Sequence, residues 1–130
     1  MIRAILPHRG TDDYGSGEFG APRGDRTHQG IDYACYPGTV IESGVYGTVT
    51  KLGYPYADAL QYRYVEVTDS LRQRHRYFYV EPSVGVGEKV MAGDSIGVSQ
   101  DIAAHYTSGV MKNHVHYEIL DHNGDPVNPE

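Results

Sequence analysis

No stretch of this chain holds a helix-period apolar pattern for longer than two turns, and that limits it to short extended elements. The apolar pieces are brief: IDYAC at 31–35, TVIES at 39–43, GVYGTVTKL at 44–52 and HVHYEIL at 114–120. Alternate side chains of a strand share one face. QYRYVEVTD at 61–69 follows that period, with Tyr62, Tyr64, Glu66 and Thr68 opposite Arg63, Val65 and Val67. HRYFYVEP is its expected antiparallel partner across the turn near Ser70, and the Asn-Gly pair at 123–124 marks a turn after HVHYEIL. IRAIL at 2–6 is expected to form a short strand stopped by Pro7, followed by an irregular surface segment over 8–26. Sixteen glycines and seven prolines disfavour helix interiors, and GVGEKVMAGDSIG at 85–97 reads as tight reversals between strands. That run lacks both a strand–GxGxxG–helix context and a GKS or GKT, so it is no phosphate cradle. The expectation is an all-β, compact, mostly antiparallel single domain over residues 1–130 with one modest core.

A formal charge of −6, with only 11 Lys and Arg thinly spread, argues against nucleic acid as a partner. The one basic cluster, LRQRHR at 71–76, reads as a hairpin end facing solvent. Cys35 is alone, so no internal disulfide can form, and its place after Tyr33 and Ala34 suggests a buried small hydrophobe. The N-terminal MIRAILPHRG has no apolar run of signal-peptide length, and no 18-residue apolar stretch occurs, so neither export signal nor membrane insertion is expected.

HVHYEI places His114, His116 and Glu118 on one strand face and Val115, Tyr117 and Ile119 on the other. THQGIDY at 27–33 adds His28 and Asp32, four residues apart with Gly30 between them. Zinc takes imidazole nitrogen and carboxylate oxygen tetrahedrally, and a catalytic site leaves one position open. His28, Asp32 and one of the two histidines at 114 and 116 would make such a set. Spacing by itself favours surface or hydrogen-bonded core histidines over a metal site. Roughly 0.3 HxH and 0.5 HxxxD matches arise by chance in such a chain, and His8 with Asp12 supplies a decoy HxxxD.

The flanks say more. FGAPRGDRTHQGIDYAC, GTVIESGVYGTV, VGEKVMAGDSIG and NHVHYEI occur in the order seen in the lysostaphin/LytM-like, M23-type zinc metallopeptidases, a resemblance running from about residue 18 to 129. The resemblance implies a groove above a zinc ion held by His28, Asp32 and His116, with His114 assisting catalysis. It also implies activity on peptide bonds of bacterial peptidoglycan. Glu118 would either orient a ligand histidine or face solvent. Where family members usually carry Tyr-x-His-Leu, this chain has Tyr77-Phe78-Tyr79-Val80. The expectation is therefore a tyrosine, Tyr79, in place of one catalytic histidine, as in the leukocyte-derived chemotaxin-2 type. Two functions follow: a phage-encoded zinc metalloendopeptidase of the cell wall, or a catalytically silent zinc-stabilised module that binds the wall or other tail and virion proteins. Carriage on a virion, or release from the host cytoplasm to the wall, is the expected setting for either.

Overall fold

The structure, a computed structural model, describes residues 6–23 and 26–130, so all but the last residue of the expected strand at 2–6 lies outside the described residues. In chain order the strands are β1 (Thr11–Asp12), β2 (Gly15–Ser16), β3 (Pro22–Arg23), β4 (Arg26–Thr27), β5 (Ile31–Ala34), β6 (Val40–Glu42) and β7 (Gly47–Gly53). They continue with β8 (Tyr64–Thr68), β9 (Arg74–Phe78), β10 (Val80–Pro82), β11 (Lys89–Val90), β12 (Ser95–Ser99), β13 (His114–Leu120) and β14 (Pro126–Val127). One 3-10 turn, Ile102–His105, precedes β13; it is capped by Asp101, whose carboxylate accepts the Ala104 N–H at 3.2 Å. So single a turn carries no periodicity, and the sequence does not announce it.

Every pairing among the described residues is antiparallel. The largest sheet runs β11-β7-β8-β9-β13-β14, with β5 added against β13. A second sheet has the order β10-β12-β6, and the β1-β2 and β3-β4 pairs are separate ribbons. Val65 and Val67 enter the core as the alternation at 61–69 implies, with Val65 opposite Tyr77 on β9, but Tyr64 and Glu66 on the other face are buried as well. Each such valine contributes about 1.5–3 kcal/mol of burial. Val115 and Tyr117 of β13 enter the same core, where Tyr117 stacks on Tyr77 at 4.9 Å.

The chain leaves the large sheet for the smaller one through a single residue, Tyr79, between β9 and β10. Its φ of 69° is left-handed, a region that bulky residues rarely adopt. Its N–H donates to the Arg63 carbonyl and its carbonyl accepts from the Gln100 N–H, both at 2.8 Å. The basic cluster at 71–76 does form a hairpin end, with Arg72 at φ 60°. His75, however, turns inward rather than to solvent, bonding Asp69 Oδ2 at 2.8 Å and the Tyr117 hydroxyl at 2.7 Å. Cys35 is half-buried just past the end of β5. Among the described residues no helix is long and apolar enough to cross a membrane.

Candidate metal centre

Strand register brings the centre together. β13 lies between β5 and β9, and His116 stands directly opposite Asp32 on β5. His28 follows β4; its N–H donates to the Ala21 carbonyl at 2.7 Å and its carbonyl accepts from the Gly20 N–H at 2.8 Å. Gly30 lies between them because a Cβ there would strike the Tyr117 carbonyl oxygen and come within 2.9 Å of His116 Cε1.

Three ligand atoms then face one another. His28 Nε2 is 3.0 Å from His116 Nδ1, His116 Nδ1 is 2.9 Å from Asp32 Oδ1, and His28 Nε2 is 3.3 Å from Asp32 Oδ1. Zinc bonds of about 2.0–2.1 Å at tetrahedral angles put neighbouring ligand atoms roughly 3.3 Å apart. The triangle is thus a slightly contracted face of such a tetrahedron, and these residues can hold a metal ion.

The outer ring nitrogens fix which atoms point inward. His28 Nδ1–H donates to the Glu18 carbonyl at 3.0 Å, and His116 Nε2–H donates to Glu118 Oε1 at 2.9 Å. In the neutral rings both inner nitrogens are therefore the atoms turned toward the Asp32 carboxylate, and a cation among them, a proton or a metal ion, relieves the crowding of acceptors. Glu118, for which solvent was an equal alternative, orients His116, and Arg76 approaches its other oxygen at 3.6 Å.

The electrostatics agree. Burial pushes the Asp32 carboxyl up, but hydrogen bonds from His116 and His28, reinforced by the charges of His114 and His116, hold it well below the usual carboxylate range. Burial pulls His116 down, yet Asp32 and Glu118 outweigh it and raise the ring to about 9. Without metal, a proton on His116 Nδ1 occupies the place between the ligands, and a metal must displace it.

His114 lies on the same strand face but belongs to a different task. Its Nδ1–H donates to the Lys112 carbonyl at 2.7 Å, leaving Nε2 as an acceptor 3.5 Å from Asp32 Oδ2. Burial pulls its pKa down against the opposing pull of Asp32, which favours the neutral ring. The three ligands and His114 line a groove of about 430 Å³, with Tyr56, Tyr79 and Tyr106 around them. The Tyr56 hydroxyl joins Tyr79 at 3.1 Å and Tyr106 at 2.7 Å. His105 stacks on Tyr56 at 4.5 Å, beside the cluster rather than among the ligands. The decoy pair parts company: His8 bonds Glu18 and Glu130, while Asp12 pairs with buried Arg9.

One expectation is corrected here. The chain is not a tyrosine-substituted form of the site: the converging groups are the complete set His28, Asp32 and His116, and tyrosine replaces none of them. Position in the sequence could not reveal this, because the left-handed turn at Tyr79 takes its side chain out of the β9 alternation. Its hydroxyl bonds Tyr56, and its ring stands edge-on to His114 at 5.4 Å. Sequence reading missed Arg9, Tyr56 and Tyr106, for which no local motif existed.

An antiparallel β domain carrying a three-ligand His/Asp/His centre at the floor of a groove defines a metal-dependent hydrolase class. Residues 26–129 match Peptidase family M23, and the chain belongs to that family. Mouse leukocyte cell-derived chemotaxin-2 is 28% identical over 124 residues, covering 92% of this chain and 76% of that protein. The catalytic domain of a prophage-encoded M23 protein from Enterococcus faecalis, solved as a mutant, aligns with a TM-score of 0.66 at 26% identity, covering 96% of this chain and 95% of that one. The catalytic domain of the antimicrobial peptidase lysostaphin from Staphylococcus simulans aligns with a TM-score of 0.67 at 21% identity, covering 91% and 87%. The fold is that lysostaphin/LytM-like one.

Proposed function

We propose that this protein is a zinc metalloendopeptidase that hydrolyses peptide bonds of bacterial peptidoglycan, with His28, Asp32 and His116 as the ligands. The observation that carries the reading is the triangle of ligand atoms at 2.9–3.3 Å, with both inner nitrogens turned to Asp32 by the outer hydrogen bonds of their rings. Two imidazoles and one carboxylate suit zinc and leave a position free for chemistry. When bound, zinc supplies Lewis acidity that polarises a scissile carbonyl and lowers the pKa of water towards about 7.

The chain's own groups do the rest. His114 Nε2 accepts the proton of the attacking water, and the same ring returns it to the leaving amine as the C–N bond breaks. The hydrogen bond to Lys112 keeps the acceptor lone pair turned to the site. The Tyr79 phenol, which burial pushes above its ordinary pKa, stays protonated and donates to the developing oxyanion. One such donor contributes about 3 kcal/mol. Glu118 holds the His116 ring.

Membership of the M23 family supports peptide hydrolysis, and the likeness to lysostaphin and to a prophage-encoded protein supports a wall substrate in a phage-associated setting, with virion proteins as further partners. The test is digestion of purified peptidoglycan by the zinc-loaded protein, with released peptides read by mass spectrometry. New peptide termini are expected from the wild type and not from His114→Ala, which keeps its zinc. Walls of several cross-bridge chemistries left uncut by zinc-loaded wild type would overturn the enzymatic reading and favour the silent module.

A further inference from the structure

Arg9 belongs to the stretch read from sequence as irregular surface, yet it is only 3% exposed. Its backbone is bolted to the centre: the Arg9 N–H donates to the Asp32 carbonyl at 2.7 Å, and the Asp32 N–H donates to the Gly17 carbonyl at 2.8 Å. The guanidinium is held from its far end. Nη1 meets Asp12 Oδ2 at 3.3 Å and Met111 Sδ at 3.2 Å, while Nη2 donates to the Gly15 carbonyl at 2.5 Å. Among the described residues Nε has no hydrogen-bond partner, and it lies 3.5 Å from Asp32 Oδ2 as an ion pair. A buried donor is costly to leave unmade, so its place beside a ligand carboxylate is informative. Gly17 makes the approach possible, since a Cβ there would lie 2.9 Å from Asp32 Cβ and 3.0 Å from Arg9 Nε.

Asp32 therefore has two differently used oxygens. Oδ1 faces His116 and His28 at 2.9 and 3.3 Å, whereas Oδ2 is bracketed by Arg9 Nε and His114 Nε2, each at 3.5 Å. We propose that Arg9 is a positioning residue for the centre: its guanidinium, ion-paired through Nε with Asp32 Oδ2 at 3.5 Å, restrains that oxygen so that Oδ1 is the one presented to the metal. The proposal rests on the zinc reading above. A carboxylate free to rotate would offer both oxygens or neither, and the tetrahedral face would be lost. Outer partners of metal ligands act in this way elsewhere, and their loss costs 10–100-fold in affinity, as an order of magnitude.

The test compares wild type, Arg9→Met, Arg9→Lys and the double variant Arg9→Met with Asp12→Asn. Zinc affinity is read by chelator competition, and ligand geometry by the visible spectrum of the Co(II)-loaded protein. The double variant removes the carboxylate that loss of Arg9 would strand, so it decides the matter if the single variant fails to fold. Binding weaker by about 10–100-fold with an altered Co(II) spectrum is expected for both methionine variants, and a smaller loss for lysine. Wild-type affinity and an unchanged spectrum in the folded double variant would overturn the role of Arg9. A wild-type protein that takes up no zinc would instead remove the zinc reading, and this proposal with it.

Discussion

Replacing Gly30 by alanine tests whether the metal centre depends on the close approach of β5 to β13. The new Cβ would meet the Tyr117 carbonyl oxygen and lie 2.9 Å from His116 Cε1 and 3.0 Å from His116 Nε2. Ordinary carbon contacts are about 3.5–4.0 Å, so the strands or the ring must yield by roughly 0.6–1 Å. That displacement falls on the residue pair that supplies two ligands, whose separation is 2.9 Å. Overpacking of this kind costs about 1–3 kcal/mol, or a melting temperature lower by roughly 4–12 °C in a domain of this size. The larger effect should fall on the metal. Moving one ligand by about a third of a tetrahedral edge should weaken zinc at least tenfold, and excess zinc should then restore little of the lost melting temperature. Calorimetric melts with and without zinc, beside chelator competition, separate the two effects. An alanine variant with wild-type melting and wild-type zinc affinity would refute the contact argument outright.

Two further outcomes are expected. The raised His116 pKa of about 9 means that zinc must expel a proton at every lower pH, so affinity rises with pH. Chelator competition should show binding about 100-fold weaker at pH 6 than at pH 8, and a flat profile would exclude His116 as a ligand. Tyr79→Phe keeps the ring against His114 and removes only the hydroxyl, so kcat should fall about 100-fold while zinc affinity holds. Full turnover by that variant would remove the phenol from the mechanism.

What could be read beforehand was whatever is local. The period of two in HVHYEI separates Val115 and Tyr117 from His114 and His116 without knowledge of any neighbour, and the structure keeps that division. His28 and Asp32 are likewise joined by a short loop whose glycine has one evident purpose. Arg9 and Tyr106 were illegible for the opposite reason. Arg9 reaches the centre through Asp32 and Met111, and Tyr106 through Tyr56 fifty residues away, contacts fixed by the crossing of sheets and not by spacing. His75 was misplaced because a basic neighbourhood suggested solvent, while strand parity carried its ring inward to Tyr117. The left-handed turn at Tyr79 was illegible too, since one positive φ changes where a side chain points without altering the letters around it.

The ligand nitrogens of His28 and His116 come from residues 88 positions apart. An ion joining them acts as a removable cross-link. Closing a loop of that length lowers the entropy of the unfolded chain by an amount equivalent to about 4–5 kcal/mol, on the scale used for a disulfide. An ion held there for chemistry would thus also be a fastener across most of the polypeptide. Chelation should open the β5–β13 seam to proteases well before it melts β8 and β9, so a wall-degrading protein of this design would become digestible when zinc is scarce.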